Sequence, residues 1–409
     1  MDDILSRLGP LKRRLFERAD LPLEPAILLI AGMTMLIAGV LLFPVSAGLI
    51  PYYENGLYGL LLFMFALQTV TLGKTPFGDV RRSKPLLAAG VGIAALGIIT
   101  CFVPDLFGRV PRMLLFLCFG PGGLLLLAQM LLAKDKFRLW MRLGGIFRRL
   151  AAGCAAVYLL SALIGLLLWK RDLLTTPMTA LVVLAYGAAI VFLAGVLRKV
   201  YRAYPEAERK AAGDAALSDD RAMLLLTGVF MVLLGVLLIP VNLGLIPFSG
   251  GAQLGLLMVI NAIQMLASGD TPIGPFPRTW LMVALGLLFA AAGIVSCVVP
   301  GVLVPALTVL IGALNIAGGL ATLWRTCVPL VKRIGKPRSP VHPVLVRLNL
   351  VQLTMGLLSV LFGASMFVSG MIPGHVIGVI LAANGLVLLY LMRLLFLLDG
   401  MRDASETPA

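Results

Sequence analysis

Long runs of apolar residues constrain this chain more than any motif in it. Twelve can be drawn, over residues 26–43, 57–72, 86–102, 113–132, 150–169, 178–197, 222–239, 253–267, 280–298, 303–323, 346–368 and 376–397. A hydrocarbon core of ~30 Å takes about 20 helical residues to cross. In lipid no water satisfies the backbone, so only helices and closed barrels span it. A barrel needs alternating rather than continuous apolar residues. Hydrophobic residues make up 60% of the chain and charged ones 13%, against roughly 25% charged in a soluble domain. That balance excludes a soluble enzyme with a small anchor, a coiled coil and a disordered chain. The expectation is an all-α polytopic membrane protein of twelve transmembrane helices, in contact with the lipid bilayer.

The formal net charge of +15 follows from the excess of basic residues that cytoplasmic loops carry, so no nucleic-acid partner is implied. With the N-terminus inside, the inner segments hold thirty Lys and Arg, and the outer ones hold only Arg109, Arg112, Lys170 and Arg171. Both termini are therefore expected in the cytoplasm. The inner segments are also amphipathic. Residues 134–149 mix Phe137, Leu139, Trp140 and Phe147 with basic side chains, and residues 4–18 are similar. Such helices lie in the interface against anionic lipid, or they dock a cytoplasmic or membrane protein partner of unknown identity.

The chain repeats itself. Residues 26–104 align with 222–300 at a constant offset of 196, without a gap and with 34 identities in 79 positions. Each copy holds six spans, so the copies run parallel, and a pseudo-two-fold axis along the membrane normal is expected. The organisation read from this is a cytoplasmic N-terminal segment (1–24), a first six-helix repeat (25–197), a linker (198–221), a second six-helix repeat (222–398) and a cytoplasmic tail (399–409). Spans 1, 3, 7, 9 and 11 carry glycines seven residues apart, such as Gly32/Gly39 and Gly228/Gly235, while span 5 keeps only Gly165, with Tyr158 in the other place. Seven residues is close to two turns, so each pair lies on one face, where small residues let helices pack closely. A proline follows on the outer side, which makes the unit a helical hairpin, six in all.

Candidate chemistry is sparse. As drawn, the spans contain no Asp, Glu or Lys, which disfavours ion-coupled transport. There is no phosphate loop, no acid–base pair and no metal cluster in the spans, so neither an enzyme nor a cofactor is expected. Two equivalent pairs stand out. Gln68 and Gln264 form a candidate polar pathway or helix-pairing contact. Cys101 and Cys297 form a candidate thiol pair, able to hold a soft metal or respond to oxidants if the sulfurs meet. Packing is the simpler reading of both.

The segments Gly32 through Pro44 and Gly228 through Pro240, each with glycines seven apart and a closing proline, resemble helices of the HdeD-type acid-resistance membrane proteins. Those are bacterial inner-membrane proteins of six helices in three hairpins, so the chain resembles a tandem duplication of one. The resemblance implies a non-enzymatic protein of the bacterial inner membrane with a stress-resistance or scaffold role, and it transfers no site residues. The alternative is a permease or channel for a small uncharged or anionic solute between the two six-helix halves.

Overall fold

The computed structural model describes residues 15–132, 140, 142, 144–208, 218–333, 343–368 and 373–406. Twelve helices long and apolar enough to cross a membrane lie among them. They are α1 Leu23–Ser46, α2 Glu54–Leu72, α3 Lys84–Phe102, α4 Val110–Leu132, α5 Gly145–Trp169, α6 Thr176–Ala203, α7 Asp219–Asn242, α8 Gly250–Ala267, α9 Trp280–Val298, α10 Val304–Arg333, α11 Pro343–Phe367 and α12 Gly374–Glu406. Between α2 and α3 a tight antiparallel ladder joins β1 Lys74–Thr75 to β2 Gly78–Asp79. This is the architecture of a multi-pass helical membrane protein.

Several helices outrun the apolar runs. Glu24 lies in the first turn of α1 and Glu54 in the first turn of α2. Both carboxylates lie outside the apolar runs as drawn, in the turn by which each helix exceeds its run. An apolar run stops at the first charge. A helix continues while its backbone hydrogen bonds can be made, and a charged residue at its end reaches the interface.

By contact the chain divides into two compact units, which are a different division from the two sequence repeats. The first contains α1–α6 together with α8 and α9, and the second contains α7, most of α10, α11 and α12. In the first unit α1 packs on α6, α2 on α3, α4 on α5 and α8 on α9. The hairpins closed by the proline-containing turns are thus not the tightest pairs. The spacing of Gly32 and Gly39 marks a face of α1 but not which neighbour meets it. A Cβ on Gly32 would lie 2.7 Å from Val191 Cγ2, and one on Gly39 2.7 Å from Leu184 Cγ, both on α6. In the second unit α7 packs on α12 in the same way, and a Cβ on Gly228 would lie 2.7 Å from Leu389 Cδ2. Lipid is as apolar as leucine, so this close approach, rather than hydrophobic burial, is what favours one helix as neighbour over another.

Helices α2 and α8 form the centre of the first unit. In each, 78% of an eighteen-residue stretch is buried, against 50% or less in every other span. Two backbone bonds tie their ends to α3 and α9. Tyr53 donates to Val298 O (2.9 Å), and Ser249 donates to Phe102 O (2.8 Å). Arg82 and Arg278, the charged identity of the repeat, follow the C-terminal ends of α2 and α8. Arg278 donates to Leu266 O (2.7 Å) in the last turn of α8 and also to Leu21 O. A cation there meets the negative end of the helix dipole.

Gly39→Leu and Gly235→Leu are expected to lower the melting temperature in detergent, each costing about 1–3 kcal/mol through overpacking. Gly92→Leu, where an added Cβ meets nothing within 4 Å, should leave it unchanged. Thermal scanning of the three variants checks this, and equal melting temperatures would remove the glycine contacts from the account.

Candidate functional site

The first unit encloses a cavity of about 410 Å³ among α1, α2, α4, α5 and α6. Its walls follow helical periodicity. Leu28, Ala31 and Met35 come from α1, and Leu61, Met64, Phe65 and Gln68 from α2. Helix α5 adds Cys154, Tyr158 and Ser161, and α6 adds Tyr186 and Ile190. Among the described residues the Gln68 amide has no hydrogen-bond partner, so it is available to an occupant. A further void of about 620 Å³ adjoins past Asp79, Trp140, Cys154 and Tyr158, between α4 and α5.

One end of the cavity is charged. Gly73, with φ of 68°, ends α2 in the left-handed conformation, which glycine adopts without a Cβ clash. The chain then turns sharply through Thr75, whose hydroxyl donates to Gly78 O (2.7 Å). Gln129 of α4 donates to Phe77 O (3.1 Å), and Gly122 leaves no room for a Cβ beside Pro76 O. This turn holds Lys74 and Asp79 opposite each other on the β1–β2 ladder, both at the cavity wall. The Glu24 carboxylate pairs with the Lys74 ammonium and accepts from Tyr201 Oη (2.6 Å). The Lys74 side chain is 39% exposed and that of Glu24 15%, so the pair sits where cavity and surface meet.

Gln68 and Gln264 therefore part company. Gln68 faces the cavity, whereas Gln264 is half-buried on α8 and is not among the cavity's lining residues. Cys101 and Cys297 do come together. Both are fully buried and their thiols converge on one backbone carbonyl, Ala252 O, with Cys101 Sγ 3.9 Å from it. Cys101 Sγ also lies 3.7 Å from Gly56 O, and Cys297 Sγ 3.6 Å from Ala252 O. The Tyr53 phenol lies close by, its oxygen buried and without a partner among the described residues. Burial raises its pKa, and Cys101, Asp105 and Cys297 add to that. Among the described residues no three His, Cys, Asp or Glu gather as a metal site.

Sequence reasoning missed Glu24, Lys74, Asp79, Tyr158 and Tyr201 as one cluster. A signal did exist, since α1 and α2 carry their polar residues in register with the cavity stripe, but the turn between α2 and α3 read as an ordinary helix stop. The repeat bears on this as well. Lys74 and Asp79 align with Asp270 and Pro275 in the second copy, so the charge pattern belongs to the first copy alone. Of the basic segment 134–149, Trp140 is described and lines the cavity. Half of that segment and most of residues 4–18, with the lipid contact expected of them, lie outside the described residues. No protein-family model, curated protein or solved structure matches the chain.

A cavity of this size, mostly apolar with a few convergent polar groups, is the usual form of a small-molecule site. Glu24→Gln and Lys74→Gln are each expected to cost about 0.5–1 kcal/mol, the range of a partly exposed ion pair. The double variant should lose less than the two singles together. A double-mutant cycle on thermal stability measures the coupling, and a coupling of zero would mean the pair is not formed.

Proposed function

We propose that the protein is a permease for a small solute, with its binding cavity inside the first six helices rather than between the two six-helix halves. The observation that carries this reading is the 410 Å³ cavity, lined by the Lys74–Glu24 pair and by the Gln68 amide, which has no hydrogen-bond partner among the described residues. We read the cluster as recognition rather than catalysis, because Glu24 is already engaged by Lys74 and by Tyr201. A non-enzymatic role follows from that reading. The pseudo-two-fold relation of the repeats is supported by the bonds Tyr53 to Val298 and Ser249 to Phe102, whose partners differ by 196 residues in both cases. The resemblance to HdeD-type proteins supports the bacterial inner membrane as its location, and stress tolerance as the setting in which a solute is moved. The distribution of Lys and Arg supports cytoplasmic termini, which puts Lys74 on the cytoplasmic side.

Two native cysteines test the reading. Cys118 and Cys154 line the cavity, whereas Cys101 is fully buried among helices. A thiol reacts through its thiolate, which a dry apolar surrounding suppresses. A variant keeping only Cys154 should react with a charged methanethiosulfonate reagent at least tenfold faster than one keeping only Cys101. The faster reaction is expected in inside-out vesicles. Equal rates would mean that the cavity is dry, and the permease reading would fall.

A further inference from the structure

A second cavity, of about 280 Å³, lies between the same five helices. Its polar end is built from Glu54, Tyr58 and Arg171. Arg171 Nη2 is 2.6 Å from Glu54 Oε1, and Tyr58 Oη donates to the same carboxylate. Burial, with Glu54 adding to it and Arg171 opposing, raises the nearby Tyr52 phenol. Each cavity thus ends in one carboxylate paired with one base and a tyrosine hydroxyl, Glu24 with Lys74 and Tyr201 at one end, Glu54 with Arg171 and Tyr58 at the other.

The two linings never interleave. On α2 the second cavity takes Glu54, Leu57 and Tyr58, and the first takes Met64, Phe65 and Gln68. On α5 the first ends at Ser161 and the second begins at Ile164. On α6 the second ends at Val183 and the first begins at Tyr186. Three residues line both cavities, Met35, Leu61 and Phe119. They are 4%, 7% and 2% exposed. Leu61 stands seven residues from Glu54 and seven from Gln68, roughly 10 Å from each along the helix. The cavities are therefore stacked end to end, with one apolar layer between them.

We propose that the two cavities are the halves of a single pathway through the first repeat, closed in this conformation by a gate of Met35, Leu61 and Phe119. The proposal rests on the permease reading and adds where the pathway runs and what it passes. The gate offers no polar side chain, so a bare ion crossing it would lose its water without compensation. The class of solute that fits is a small organic molecule without net charge, polar at its ends and apolar in its body. Its polar ends meet paired charges at both mouths, and its body passes the flexible methionine and the aromatic ring.

One-sided labelling of the Cys154-only protein in vesicles of each orientation tests this with an impermeant methanethiosulfonate reagent. With the gate intact, Cys154 should react from the Lys74 side and not from the Arg171 side. Leu61→Ala combined with Phe119→Ala should open access from the Arg171 side, raising that rate at least tenfold while the Lys74-side rate stays constant. A constant Lys74-side rate also reports that the variant is folded. If the double variant does not accumulate, Met35→Ala is read by the same criterion. Labelling from the Lys74 side with no gain from the Arg171 side would overturn the gate and leave the permease reading in place. No labelling from either side would remove that reading and the gate with it.

Discussion

Close backbone approach at glycine is the contact on which the rest of this structure depends. In water, burying leucine would hold two helices together. In lipid that gain is absent, because the tails are as apolar as the side chains. What remains is dispersion over a tightly fitted surface, and glycine brings two backbones near enough to make it. Gly32 and Gly39 fit α1 to α6, and Gly97 meets the backbone of α2 with a hypothetical Cβ 2.8 Å from Gly59 O. Once α1 is fixed to α6, and α4 to α5, the five helices around the cavity cannot close on it. The glycines are not part of the site, but they determine that it has space.

The same constraint explains why the centre of the first unit and its cavity are different places. Helices α2 and α8 are the most buried, and the thiols of Cys101 and Cys297 lie in their packed surroundings. There, glycines at 56, 59 and 255 bring the chains too close for water to enter. The cavity opens on the other side of α2, where Gln68, Phe65 and Leu61 face α4, α5 and α6. One helix thus presents a dry face and a polar one. The thiol pair belongs to the packed face, where both sulfurs are fully buried.

Duplication frees one copy to carry a site while both keep the packing. The matched glycines, prolines and Arg82/Arg278 of the repeat are residues of turns, caps and crossings. Several of the residues that give the first copy its polar mouths have no counterpart in the second, although Glu24 falls opposite Asp220 at the same offset. Glu54 aligns with Gly250, Tyr58 with Leu254 and Asp79 with Pro275. Packing residues must satisfy a neighbour in both copies, whereas the charged ends of the cavity involve the first copy alone.

The sequence alone determined the helical class and the twelve spans, because lipid thickness and backbone hydrogen bonding are local requirements that each segment meets by itself. It also determined the repeat and the glycine faces, since helical periodicity converts spacing into direction. Only the tertiary structure decided which neighbour each face meets. It paired α1 with α6 rather than with α2, a choice made by shape between segments about 150 residues apart. It likewise separated Gln68 from Gln264, which the repeat makes equivalent, because what a side chain faces depends on its neighbours and not on its register. Glu24, Lys74 and Tyr201 come from three distant stretches and form a cluster only when α1, α2 and α6 converge. No pattern within one segment encodes that meeting. It follows from the folded arrangement of helices, where a carboxylate leaving water finds its compensating charge.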